Sequence, residues 1–215
     1  MDTKAIKNEW IREQIIDAAK IYRDELAGKV FLYVYGETYF EVVFLTECFR
    51  HLTGVNSSIS AKEFYNKAKN STLSTGQIFY DAKHTYSGAK KKLPCLMALP
   101  SLTNDVVCVV KDMQTISVTY KIGVTNLNFT IGLSENRNRA GDKVNDWLLP
   151  RTLRVKDKAI ENSSDAEFVD FIFSKDASMV KYSTINYSDI GKHPPLAIKG
   201  FLSDGLVEQL YPDMR

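Results

Sequence analysis

The chain has 215 residues, of which 44% are hydrophobic and 25% are charged, and its formal net charge is +2. This length suits one domain with a small additional segment, and this composition is typical of a soluble globular protein. No apolar run approaches the ~18 residues that a membrane-spanning helix needs, and the polar N-terminus does not resemble a signal peptide. The three cysteines form no CxxC pair, which argues against a disulfide framework. We therefore expect a cytoplasmic protein without membrane contact.

The positive charge is concentrated in two stretches of the chain. Residues 61–92 carry a net charge of +5, and residues 136–158 carry +4. On one face of the fold, these stretches would form a surface that attracts a polyanion such as nucleic acid. On opposite faces, they would be ordinary solvated surfaces. The sequence leaves both arrangements open.

The N-terminal part of the chain predicts a helix followed by a β-hairpin. Asp2 or Thr3 can cap the helix, which spans residues 1–28 and ends at Gly28. Two runs rich in aromatic and β-branched residues, 30–35 and 38–44, flank a turn and predict the hairpin. Apolar residues recur on one face of the predicted helix, at Ile11, Ile15, Ala18, Tyr22 and Leu26. We expect this face to be buried.

Helical patterns continue after the hairpin. The segment 45–55 places its apolar residues on one helical face and stops at Gly54. A second helix is predicted over 60–68, and a third over 75–92, beginning at Thr75 or Gln77, with Pro94 closing it.

The second half of the chain predicts an antiparallel sheet. Residues 134–146 are rich in Asn and Arg and predict a mobile flap, whereas the residues from Ser188 onward predict a loosely structured tail with one short helix near Leu206. Five runs of β-type residues are separated by Asp, Asn, Gly and Ser, at 106–110, 115–122, 127–133, 147–155 and 168–173.

The expected fold is therefore α+β, with an N-terminal helix and hairpin and with two to three helices packed on an antiparallel sheet of about four to five strands. We expect a single domain over residues 1–187 and a C-terminal extension over 188–215.

One short motif carries most of the chemical information. It reads Phe49-x-His51-Leu52-Thr53-Gly54 and follows an apolar strand. No phosphate-binding loop, dinucleotide-binding glycine pattern or HExxH motif occurs, and the three isolated histidines do not predict a metal site. Cys48 lies on the apolar stripe, so we interpret it as a packing residue rather than a nucleophile beside His51. With Pro150-Arg151-Thr152-Leu153 in a later strand, the motif resembles the fourth group of phage nucleases of the Barnase-EndoU-colicin-RelE type, over residues 30–175.

The resemblance implies a metal-independent endoribonuclease of phage or prophage type that acts without a cofactor. It also implies RNA as the substrate, tRNA being the commonest target of such folds, and a role as a toxin in the cytoplasm of a bacterial host. A neutralising antitoxin or immunity protein is then an expected partner.

Cleaving RNA without a metal needs a group that accepts the proton of the ribose 2′-OH, another that protonates the leaving 5′-oxygen, and cations that hold the phosphate. His51 suits either proton transfer near neutral pH, and Arg151 can bind two phosphate oxygens at once. Thr53 or Thr152 can donate a hydrogen bond to a non-bridging oxygen. We therefore predict these four residues as the catalytic set. The candidates for substrate binding are Lys62, Lys83, Arg137, Arg139, Arg154, Lys181 and Tyr182.

Three of these residues also have a structural interpretation. His51 can interact with the carbonyl groups at a helix C-terminus, Thr53 can be a turn residue, and Arg151 can pair with a carboxylate across the sheet. His84 and His193 have no supporting sequence context and receive no function.

The alternative function is a catalytically inactive phage module that binds nucleic acid or protein and inhibits a host factor. Such a module predicts salt-sensitive binding without turnover. An active ribonuclease, in contrast, should be toxic when it is expressed in bacteria.

Overall fold

The computed structural model of the protein describes residues 3–114, 119–156 and 166–212. Two short 3-10 segments cover Thr75–Gln77 and Leu196–Phe201. The described α-helices are α1 (Thr3–Glu25), α2 (Cys48–Thr53), α3 (Ala61–Lys69), α4 (Tyr86–Met97), α5 (Ser101–Asn104) and α6 (Asp204–Leu210). The described strands are β1 (Lys29–Tyr35), β2 (Thr38–Val43), β3 (Asn56–Ser57), β4 (Ile78–Phe79), β5 (Cys108–Gln114), β6 (Thr119–Thr125), β7 (Phe129–Arg137), β8 (Lys143–Val155), β9 (Glu167–Phe168), β10 (Phe171–Asp176) and β11 (Thr184–Ser188).

Nine of these strands form the main sheet, in the order β11-β10-β1-β2-β8-β7-β6-β5-β9. The predicted hairpin is β1–β2, and the predicted meander is β5–β8. The α+β class is confirmed, but the predicted sheet of four to five strands is too small. The reason is that the hairpin joins the meander through a parallel pairing of β2 with β8 at Val42 and Leu148, while β10 pairs with β1. Pairings between strands so distant in the sequence leave no local signal.

Two hydrophobic cores lie against this sheet. The larger one holds the apolar stripe of α1, which begins at Ile11, together with apolar side chains of α3 and α4 and inward-facing residues of β1, β2 and β5–β8. The smaller one is built from Val30, Leu32 and Phe173 of the sheet and from Leu206 of α6. The C-terminal tail is therefore packed rather than loosely structured, and the predicted short helix near Leu206 is α6.

The N-terminal helix ends as predicted, because Gly28 has a φ of 77° just after α1. Asp2, one of the two predicted caps, and residues 115–118 of a predicted strand lie outside the described residues. Among the residues that the structure describes, no helix is both long and apolar enough to span a bilayer.

Two predicted segments differ in the structure. The helix predicted from Thr75 or Gln77 toward Lys92 is instead a 3-10 turn, the short strand β4, a loop and α4, because Ser74 caps the turn and Thr85 caps a new helix. Pro94 lies inside α4 rather than closing it. The flap predicted over 134–146 is a hairpin, since β7 and β8 extend to a pairing of Arg137 with Lys143.

Candidate active site

The site begins at α2, the helix that contains the Phe-x-His-Leu-Thr-Gly motif. Phe49 and Leu52 are fully buried and hold the helix on the larger core, whereas His51 is exposed to solvent. Gly54 ends the helix with a φ of 78°, a left-handed conformation that glycine adopts without a steric penalty. The motif therefore forms a short, firmly packed helix on which the imidazole of His51 is exposed.

Thr53 has a structural role at the end of α2. Its side chain is fully buried, its hydroxyl donates a hydrogen bond to the Arg50 carbonyl at 2.7 Å, and it accepts one from the Val55 amide at 3.3 Å. The hydroxyl is therefore engaged with the backbone and faces no solvent. This geometry does not support the predicted contact between Thr53 and a phosphate.

His51 is surrounded by positive charge. The pKa of His51 is lowered, first because nearby protein removes water from the imidazole and then because of the positive charges of Arg50, Arg151 and His84. A histidine with a lowered pKa is neutral at pH 7 and can accept a proton.

Arg151 lies at an irregularity in β8. Across the β7–β8 ladder, Leu133 pairs with Pro150 and Gly132 pairs with Thr152, so Arg151 is an extra residue without a partner on β7. Such a β-bulge redirects a side chain, and it also accommodates a proline, which has no N–H for the ladder. Because β8 lies against α2, the charge of Arg151 acts on both Cys48 and His51 of that helix.

The guanidinium of Arg151 has N–H donors that remain available for a substrate. Its Nε donates to the Ser134 hydroxyl at 3.1 Å. Within residues 3–114, 119–156 and 166–212, no carboxylate forms an ion pair with it, so the predicted alternative of a cross-strand ion pair finds no support there. Ser134 also lines a cavity of about 340 Å³ between β6, β7 and β8, together with Tyr120, Glu135 and Leu148. Ser134 therefore contacts Arg151 and also lines this cavity.

His84 lies in a loop that precedes α4 and is held by Asp81. The Nδ1 atom of His84 lies 3.0 and 3.1 Å from the two carboxylate oxygens of Asp81. The same carboxylate accepts hydrogen bonds from the backbone amides of Lys83 and His84 and from the Asn56 side chain at 3.0 Å. The hydrogen bonds from Asn56 and His84 hold the pKa of Asp81 well below its usual range.

Local topology brings this loop to α2. Asn56 follows the Gly54 turn and pairs with Phe79 in the two-stranded sheet β3–β4. A β-carbon placed on Gly54 would lie 2.8 Å from Cδ of Lys92 and 3.4 Å from Cα of Ala89. The end of α2 therefore contacts the first turns of α4, which begins directly after the His84 loop.

Cys48 belongs to the smaller core and is 1% exposed. Burial raises the pKa of its thiol to about 11, so the thiol stays protonated at neutral pH. The structure agrees with its interpretation as a packing residue.

The other predicted residues are spread over the fold. Thr152 is 7% exposed, beside Gly132. Lys83 is exposed in the His84 loop, and Lys62 is exposed on the first turn of α3. The structure thus brings His51, Arg151 and the loop of Lys83 together.

The remaining predicted arginines lie on β7, β8 and the turn between them. Arg137 and Arg139 are exposed near the tip of the β7–β8 hairpin, where Nε of Arg137 donates to Glu135 at 2.9 Å. Arg154 pairs across the ladder with Thr130. Its neighbour Leu153 enters the larger core, so the side chain of Arg154 leaves the sheet on the other face.

Lys181 and Tyr182 contact the C-terminal tail and the smaller core. Lys181 donates to the Gly200 carbonyl. Tyr182 is fully buried, and its hydroxyl donates to the Glu41 carboxylate. Burial raises the pKa of Tyr182 far above its usual value, as does the bond to Glu41. A buried, bonded hydroxyl does not support the predicted role in substrate binding.

Sequence reasoning assigned no role to His84, although a signal was present. Asp81 precedes it by three residues, and an Asp side chain commonly accepts hydrogen bonds from backbone amides two and three residues later. That spacing predicts the compact loop, but the proximity of the loop to His51 depends on the β3–β4 pairing.

Across the described ranges, no group of three or more His, Cys, Asp and Glu side chains is arranged to hold a metal ion.

Comparison with known proteins identifies the family to which the chain belongs. No curated protein and no solved structure shows a significant match to the chain. The family model described as phage-Barnase-EndoU-ColicinE5/D-RelE like nuclease4 matches residues 14–191, which include α2, the His84 loop and the β8 bulge. This match covers most of the 215 residues. The chain therefore belongs to this family of phage nucleases.

Proposed function

We propose that the protein is a metal-independent endoribonuclease in which His51 accepts the proton of the ribose 2′-OH and Arg151 holds the scissile phosphate. One observation carries the proposal: the exposed imidazole of His51 lies within the electrostatic field of Arg151, whose guanidinium pairs with no carboxylate among the described residues.

The proposed reaction is a transesterification. The 2′-oxygen forms a bond to the adjacent phosphorus as its proton moves to His51, and the bond between phosphorus and the 5′-oxygen breaks. The 5′-oxygen takes up a proton as it leaves. The products are a 2′,3′-cyclic phosphate and a free 5′-hydroxyl, and no oxidant, reductant or cofactor is consumed.

The two residues suit these roles for different physical reasons. The lowered pKa of His51 keeps its imidazole neutral at pH 7, which is the state that can accept a proton. Arg151 carries a planar guanidinium fork that can donate to two phosphate oxygens while negative charge accumulates on them.

A nuclease of this kind, acting on tRNA or another RNA in the bacterial cytoplasm, would harm the cell that makes it. We therefore include in the proposal a role as a toxin and a neutralising antitoxin or immunity protein as partner. Lys83, exposed beside His84, is a further cation for the RNA backbone.

The test is incubation of the purified protein with total bacterial RNA in excess EDTA. We expect discrete fragments whose 5′ ends can be phosphorylated directly by a polynucleotide kinase and whose 3′ ends carry a cyclic phosphate. His51→Ala and Arg151→Ala should each reduce cleavage by about 10²-fold or more.

His193→Ala is the matched control, because His193 is an exposed histidine in the C-terminal tail. It should cleave RNA like the unmodified protein. Intact RNA with the unmodified protein, accompanied by salt-sensitive RNA binding, would favour the inactive binding module and contradict the proposal.

A further inference from the structure

The reaction needs a second proton-transfer group, and the sequence motif supplies only one. While His51 accepts the proton of the 2′-OH, another side chain must deliver a proton to the 5′-oxygen, because an alkoxide is a poor leaving group. The hydrogen bond from Asn56 to Asp81 ties the loop of His84 to the turn that ends the helix of His51, and the charge of His84 adds to the desolvation that lowers the pKa of His51. Two imidazoles therefore lie on neighbouring elements that are 33 residues apart in the sequence.

We propose that His84 is the acid of this site and protonates the leaving 5′-oxygen. Asp81 and Asn56 are its positioning residues. This assignment rests on the proposed function.

The contacts of Asp81 fix the ring of His84 in one orientation. A carboxylate only accepts hydrogen bonds, so the Nδ1 atom at 3.0 and 3.1 Å must carry hydrogen. The Nε2 atom is left to exchange a proton with the substrate. The negative charge of Asp81 also compensates the positive charge that the ring must carry before it can act as an acid.

Asn56 helps to hold Asp81 in place. Its side-chain amide donates to Oδ2 of Asp81 at 3.0 Å, while Oδ1 accepts the backbone amides of Lys83 and His84 at 2.8 and 2.7 Å. These bonds keep Asp81 ionised over the pH range in which histidine titrates. Since Asn56 directly follows the Gly54–Val55 turn, the bond also links the loop of His84 to the helix of His51.

The electrostatic asymmetry of the two histidines separates their roles. The positive charge of protonated His51 is disfavoured by desolvation and by Arg50 and Arg151, whereas His84 faces the Asp81 carboxylate. The first environment suits a base, and the second provides a carboxylate partner for a ring that carries hydrogen on Nδ1.

The decisive experiment replaces the leaving group. An RNA oligonucleotide that spans a cleavage site mapped with the unmodified protein is synthesised in two forms, one with the natural 5′-oxygen and one with a single bridging 5′-sulfur. A thiolate leaves without protonation, so the sulfur substrate does not need an acid. Cleavage of the oxygen substrate by the unmodified protein establishes the proposed function independently of His84.

We expect His84→Ala to slow cleavage of the oxygen substrate by about 10²-fold or more, and to cleave the sulfur substrate within several-fold of the unmodified protein. That second activity also shows that the variant is folded. His51→Ala should be slow on both substrates, and His193→Ala should be normal on both.

Asp81→Asn retains an oxygen that can accept the backbone amides but loses the charge beside Nδ1. We expect a smaller loss on the oxygen substrate and the same recovery with sulfur, which a merely structural defect would not produce. Equal losses of His84→Ala on both substrates, or no loss on the oxygen substrate, would overturn the assignment of His84 as the acid.

Discussion

Leu149 and Leu153 lie four residues apart on β8, yet they enter different hydrophobic cores. Leu149 packs with β1, β10 and the C-terminal tail, and Leu153 packs with the N-terminal helices. In a regular strand, residues separated by an even number face the same side. The extra residue at the bulge, Arg151, shifts this alternation by one position. The irregularity that moves Leu153 to the face opposite Leu149 thus also carries the candidate phosphate ligand.

The side chain at the bulge gives the first prediction. Arg151→Lys retains a positive charge but loses the planar fork, so cleavage should fall less than in Arg151→Ala, which we expect to lose about 10²-fold in kcat/KM. Arg23→Ala is the control, since Arg23 is exposed at the end of α1 and pairs with the adjacent Asp24. Initial rates on one RNA substrate measure all three. Equal rates for the Lys and Ala variants would mean that bidentate binding contributes nothing.

The charges around His51 give the second prediction. Removing the positive charge in Arg50→Gln should raise the pKa of His51, because Arg50 is one cause of its lowering after desolvation. The acidic limb of the pH–kcat/KM profile should then move to higher pH, since the base loses activity where it becomes protonated. Arg50→Lys keeps the charge and should leave the limb in place. NMR titration of the His51 ring protons measures the same shift without substrate, and an unchanged titration in Arg50→Gln would contradict the prediction.

The sequence predicted those parts of the fold that rest on local patterns. The stripe of α1, the stop at Gly28 and the β1–β2 hairpin each follow from residues close in the chain. The β2–β8 and β1–β10 pairings were not predictable, because strands that meet across more than 100 residues carry no signal for one another. The third predicted helix was wrong because the caps at Ser74 and Thr85 outweighed a helical spacing of apolar residues.

The residues of the candidate site also differ in whether local sequence patterns could predict them. The prediction of His51 came from the motif and that of Arg151 from the later strand, through the residue types that phosphate chemistry requires. His84 could not be selected from the sequence, since its relation to His51 depends on the two-stranded sheet that pairs Asn56 with Phe79. Thr53 and Tyr182 carry hydroxyls of a suitable type, but burial decides their partners, and burial is set by the tertiary structure.

The turn after α2 gives the third prediction. Gly54→Ala places a side chain on a backbone with a φ of 78°, which costs about 1–2 kcal/mol of stability, and brings it within 2.8 Å of Lys92. Gly28→Ala is the matched control, because its φ is 77° and a β-carbon there meets nothing within 4 Å. Both variants should unfold at lower denaturant concentration. Only Gly54→Ala should also lose RNA cleavage, because its strained turn directly follows the helix of His51 and its β-carbon must displace the Lys92 side chain, and equal activities of the two variants would contradict this.

Tyr182 gives the fourth prediction, which separates a structural role from a role in substrate binding. Its hydroxyl donates to Glu41, and Lys175 lies both over its ring, at 4.5 Å from the centroid, and 4.0 Å from Glu41. Tyr182→Phe removes a hydrogen bond to a largely buried carboxylate and should therefore lower the free energy of unfolding by about 1–3 kcal/mol. Tyr39→Phe is the control, since Tyr39 is an exposed tyrosine and should unfold normally. Chemical denaturation measures the stabilities, and RNA cleavage below the unfolding transition should be unchanged in both variants. A loss of cleavage in folded Tyr182→Phe would instead place this tyrosine in the substrate site.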